Sequence, residues 1–160
     1  MSAQELSFDI SIDEKIGVDN ASIYYDEPCS ETLIPGLDTA WDNVQNCTTS
    51  VGGIVPITLA PAWGNKGGSF GTVPANTDCL LSFEFDFRSG TSTGSGVIGF
   101  SEFDVDKEWQ TVDYGIYIST PAGERRIFIV ESGTALDFGN GFWLSGDIKK
   151  IKRSGGVVSY

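Results

Sequence analysis

The sequence contains no histidine. That absence removes Ser-His-Asp and Cys-His catalysis, and most zinc and iron sites with them. Cysteine is scarce: Cys29, Cys47 and Cys79 are the only three, and no C-x-x-C pair exists. Metal-binding and thioredoxin-type readings therefore fail. The odd number allows one disulfide and one free thiol, or three buried thiols. Basic residues are few, ten against 22 acids, for a formal net charge of −12. Phosphate binding needs a basic surface, so nucleic acid is excluded as a partner. No window of 18 apolar residues occurs, so no membrane-spanning helix is expected. No stretch carries helical periodicity of useful length.

What is present points to strands. The chain has 160 residues, 20 of them glycine, and 12% aromatics. That length suits one domain able to bury roughly two-thirds of its unfolded surface. In LLSFEFDF, Leu81, Phe83, Phe85 and Phe87 fall on one face, with Leu80, Ser82, Glu84 and Asp86 on the other. This period of two marks a half-buried strand. LSFDISID repeats it with Leu6, Phe8, Ile10 and Ile12, and TVDYGIYI with Val112, Tyr114, Ile116 and Ile118. VIGF and RIFIVE are shorter and rich in branched and aromatic residues.

Residues 19 to 40 show no sustained period and read as an irregular connection with one short strand at SIYY. WDNVQNCTTS reads as a strand, and VGGIVPITLA as another broken by Gly-Gly. PAWGNKGGSFGTVPANTD reads as loop, with Trp63 near its start. RSGTSTGSG and FDVDKEWQTVD are polar connections, and Arg153-Ser154-Gly155-Gly156 reads as a hairpin turn. About ten short strands at this spacing predict an all-β fold, an antiparallel β-sandwich or jelly roll. Asn20-Ala21-Ser22 and Asn46-Cys47-Thr48 match the glycosylation sequon, a short pattern that chance often produces.

The acids are unevenly spread. Sixteen of the 22 lie in residues 1–106, beside only Lys15, Lys66 and Arg88. A solvated acidic surface explains most of this. The sharper reading is a cation site, in which Asp104, Asp106 and Glu108 alternate and can offer oxygens to calcium.

The second half resembles a concanavalin A-like β-sandwich module of bacterial secreted and surface proteins. The resemblance rests on VIGFSEFDVDKEWQTVDYGIYI and RIFIVESGTALDFGNGFWLSGDIKKIKRSGGVVSY, with Trp63-Gly64-Asn65 as the lead-in. It covers residues 41–160 and leaves 1–40 as an N-terminal strand and irregular lead-in. In that pattern a glycine stands where this chain has Cys79, a departure that would mark a local disulfide. The pattern also ends with one further strand, which implies a native chain that continues past Tyr160. The resemblance implies a lectin-like or adhesive module within a longer chain, engaging glycan or another surface protein. Ser-Ala-Gln near the start resembles a signal-peptide junction of Bacteroidetes proteins, and an ordinary N-terminus explains it equally well. Read with the resemblance, it implies a secreted or cell-surface protein that engages the type IX secretion machinery.

Two chemistries compete for the loop between Phe103 and Thr111. Glu102, Asp104 and Asp106 resemble the nucleophile, helper and acid/base carboxylates of laminarinase-type glucanases, set at i, i+2 and i+4 on one strand face. Asp106 is a methylene shorter than the glutamate that pattern carries. The preferred reading is non-catalytic, with no enzyme activity. Sugar rings stack their C–H faces on aromatic rings while their hydroxyls seek polar groups. Trp109 beside Asp104 and Asp106, with Tyr114 beyond, is the leading candidate, and Trp143 is a second. A purely structural stalk or secretion-cargo domain is the remaining alternative.

Overall fold

A computed structural model describes residues 6–14, 16–27, 30–33, 41–51, 53–57, 66–73, 77–87, 95–101, 109–120, 126–137 and 146–160. Among them fourteen strands form. The first seven are β1 (Leu6–Glu14), β2 (Ile16–Glu27), β3 (Ser30–Leu33), β4 (Asp42–Gln45), β5 (Cys47–Ser50), β6 (Gly53–Pro56) and β7 (Gly67–Val73). The rest are β8 (Cys79–Phe87), β9 (Ser95–Ser101), β10 (Tyr114–Ser119), β11 (Arg126–Glu131), β12 (Thr134–Asp137), β13 (Ile148–Ser154) and β14 (Val157–Ser159). Among the described residues a single 3-10 turn occurs, at Trp109–Thr111. The all-β expectation therefore holds. No described helix is long and apolar enough to cross a membrane.

The strands form two seven-stranded sheets, paired antiparallel throughout. The first runs β12-β11-β10-β9-β1-β7-β4. The second runs β14-β13-β8-β2-β6-β5, with β3 on the far half of β2. One hydrophobic cluster draws on both. The first sheet supplies Ile98, Phe100, Ile116, Ile118 and Ile129, and the second supplies Leu81, Phe83, Phe85 and Ile151. The alternation of β8 is the reason it can do this. Cys79, Leu81, Phe83 and Phe85 are buried, while Leu80, Ser82 and Glu84 between them are half-buried.

Four local readings change. Within residues 19–40, read as an irregular connection with one short strand at SIYY, β2 runs on to Glu27 and β3 follows at Ser30–Leu33; with β1 they put the N-terminal segment inside both sheets rather than ahead of them as a lead-in. GGSFGTV, read as loop, is β7, held between β1 and β4. Its Gly67, Gly68 and Ser69 are buried, and such small residues leave no alternation to read. Residues 42–50, read as one strand, are two. Asn46 takes a left-handed conformation (φ 48°), and there the chain leaves the first sheet for the second. Asparagine tolerates that conformation better than most residues. Val112, read as part of the TVDYGIYI face, precedes β10 and packs elsewhere.

The tight turns follow their sequence. Gly155 and Gly156 have φ of 55° and 80°, the double positive φ of a type I′ hairpin between β13 and β14. Asp78 secures it, accepting from the Ser154 hydroxyl at 3.2 Å and the Gly155 N–H at 2.8 Å. Cys47 and Cys79 are buried, and no disulfide joins them to each other. Cys29 lies outside the described residues.

One buried charge works against the fold. Arg153 pairs in register with Cys79 and is 3% exposed. Among the described residues its Nη1 finds no hydrogen-bond partner. A buried guanidinium with an unmet donor carries a desolvation cost. Arg153→Met should therefore raise the urea midpoint, by about 1–3 kcal/mol of stability. A lower midpoint would show that the guanidinium has an adequate counter-charge.

Candidate functional site

Among the described residues, the outer face of the first sheet, opposite the shared core, carries an ordered arrangement of aromatic and polar side chains. Register builds it row by row. Val97, Tyr117, Phe128 and Asp137 stand opposite one another across β9, β10, β11 and β12. On one side runs the row Gly99, Gly115, Val130 and Ala135. On the other side runs Ser95, Ser119 and Arg126.

Trp109 joins this face from the 3-10 turn. Its ring stacks on Tyr117 at 5.7 Å between centroids and 14° between planes. Tyr117 stacks in turn on Phe128 at 5.2 Å and 26°. The three rings form one continuous aromatic row, each ring half-buried. Offset stacking of this kind contributes about 0.5–1.5 kcal/mol per pair beyond the area buried. Beneath the row, Val97, Val112 and Val130 form a small apolar cluster on which Trp109 and Tyr117 rest.

The glycine row explains why the turn can lie so close. A Cβ on Gly115 would sit 2.8 Å from Val112 Cγ1 and 2.9 Å from the Ile98 carbonyl oxygen. Val112 thus occupies the space that a side chain at 115 would fill. The turn closes on itself and is then tied to the sheet just past its C-terminal end. The Val112 N–H donates to the Trp109 carbonyl at 3.3 Å, and the Asp113 N–H to the Phe100 carbonyl at 3.1 Å. The Asp113 carbonyl accepts from the Ser132 N–H at 2.7 Å, which links the turn to the β11–β12 hairpin.

Polar groups border the aromatic row. The Ser95 and Ser119 hydroxyls share a hydrogen bond of 3.2 Å. Arg126 Nη1 lies 3.8 Å from Asp137 Oδ2, and both side chains are about half-exposed. An ion pair this open contributes little to stability.

The residues expected to form the site divide. Trp109 lies in the aromatic row. Tyr114 does not join it, because it pairs with Phe100 and Glu131 on the opposite face of β10. Glu102, Asp104, Asp106, Glu108, Trp63 and Trp143 lie outside the described residues, and so do the glucanase-like and calcium readings that rest on them. Among the described residues no group of three His, Cys, Asp or Glu is placed to hold a metal ion. Tyr117, Phe128, Ser95, Ser119, Arg126 and Asp137 were missed as site residues. The usable signal for Tyr117 and Phe128 was phase: both alternate with isoleucines that face the core.

Cys47 does not make a second reactive centre. Burial pushes its thiol up to about 11, against the smaller opposing pull of the Gly67 backbone and of Lys66. It stays protonated, and so a poor nucleophile, at neutral pH.

No protein-family model, curated protein or solved structure matches the chain.

Proposed function

We propose that this domain is a non-catalytic binding module that holds glycan on the outer face of its first sheet. The fold we assign to it is a concanavalin A-like β-sandwich, and the setting a secreted or cell-surface protein. The observation that carries the reading is the aromatic row of Trp109, Tyr117 and Phe128, bordered by the hydroxyls of Ser95 and Ser119. Aromatic surface beside fixed polar groups is the chemistry that sugar rings need, since each ring has an apolar C–H face and a polar rim. The support beneath the row keeps it in place before any ligand arrives, which lowers the entropic cost of binding.

A glycan array with the wild-type domain and Trp109→Ala tests this. The wild type should retain a defined set of glycans, and Trp109→Ala should weaken their binding about tenfold or more, close to 1.4 kcal/mol. Trp109→Phe should keep most of the affinity, because a second aromatic ring can rest on Tyr117. Equal binding by wild type and Trp109→Ala, with both folded by circular dichroism, would overturn the assignment.

A further inference from the structure

We infer that the ligand is an uncharged, linear glycan lying across the strands from Trp109 toward Asp137; this rests on the glycan reading above. Three observations fix the direction and the charge.

The first is shape. The aromatic row crosses the strands rather than following one of them, because Tyr117, Phe128 and Asp137 are cross-strand partners on β10, β11 and β12. From β9 to β12 is three strand spacings, roughly 14 Å, and Trp109 stands at the β9 end of the line. A short run of pyranose rings can lie along it. The side at Gly115 is already filled by Val112, so the ligand's polar rim turns the other way.

The second is the polar border on that other side. Ser95 and Ser119 can each give and take a hydrogen bond. Arg126 only donates, and Asp137 only accepts. A donor standing beside an acceptor suits neighbouring sugar hydroxyls, each of which does both.

The third is charge. Arg126 is the cation of this border, and Asp137 sits 3.8 Å from it. A carboxylate or sulfate on the ligand would have to compete with Asp137 for Arg126 and then remain beside the displaced carboxylate. It would also approach a chain of net charge −12. A neutral glycan meets neither penalty, and it can use both members of the pair.

Titration calorimetry with neutral hexasaccharides of glucose, xylose and mannose, and with an oligogalacturonate of equal length, decides the matter when run at low and high salt. A neutral hexasaccharide should bind with affinity unchanged by salt, and the acidic one about tenfold or more weaker. Arg126→Ala and Asp137→Ala should each weaken the neutral ligand by about three- to tenfold, as loss of one ordinary solvent-exposed hydrogen bond does. Both positions are half-exposed, so both variants should fold. Tighter binding of the acidic glycan, fading with salt and lost in Trp109→Ala, would overturn the neutral ligand and leave the glycan reading standing. Trp109-dependent binding that ignores Arg126→Ala and Asp137→Ala would overturn the placement alone. Failure of every glycan to bind would overturn both.

Discussion

Gly99→Ala is expected to destabilise the domain by about 3 kcal/mol or more, at the upper end of what overpacking costs. A Cβ at this position would stand 2.1 Å from the Tyr114 carbonyl oxygen and 2.6 Å from Gly115 Cα. Both belong to the backbone of the neighbouring strand, so neither can swing aside as a side chain would. Relief requires β9 and β10 to separate where Gly99 pairs with Gly115. The cost therefore includes ladder hydrogen bonds as well as repulsion. Against a total stability of about 5–15 kcal/mol, this is a large share. In a domain of this size it should lower the melting temperature by roughly 10 °C. Gly156→Ala is the matched control. Its φ is 80°, but a Cβ there meets nothing within 4 Å, so only backbone strain of about 1–2 kcal/mol applies. Equal melting temperatures for the two variants would show that β9 and β10 are not so closely apposed.

Phe83→Ala should cost about 3–5 kcal/mol in urea unfolding, the usual price of emptying a buried aromatic site. Phe83 is fully buried, and its ring meets Phe85 edge-on at 5.2 Å and 85°. It belongs to the cluster that takes residues from both sheets, so the cavity would open between them. Phe83→Leu keeps much of the volume and should cost about 1–2 kcal/mol. A loss below about 1 kcal/mol for Phe83→Ala would mean the two sheets do not share that core.

The fold was legible where side chains alternate. Leu81, Phe83 and Phe85 announce both the strand and its buried face, and Gly155-Gly156 announces the hairpin. It was not legible where the pattern depends on having no side chain. Gly67 and Gly68 sit buried in β7 between β1 and β4, and a glycine pair reads as loop in any single sequence. The change of sheet at Asn46 was equally hidden, since each half of 42–50 looks like strand whichever sheet it joins. The candidate site was half visible. Trp109 stood out as an aromatic in a polar connection. Its partners did not, because Tyr117 and Phe128 become neighbours only through the register of β10 and β11.

The position of β1 in its sheet sets a condition on how the chain reaches its native state. Although first in sequence, β1 lies between β9 and β7, with Ser7 opposite Ser101 and Leu6 opposite Val73. Neither edge of β1 has a partner until those distant segments have been made, so β1 waits unpaired until β7, some way along the chain, has been synthesised. Loop-closure entropy must be met before such pairings are rewarded, and β proteins of this kind fold on the order of milliseconds to seconds. During that interval the unpaired edges of β1 are open to pairing with another molecule.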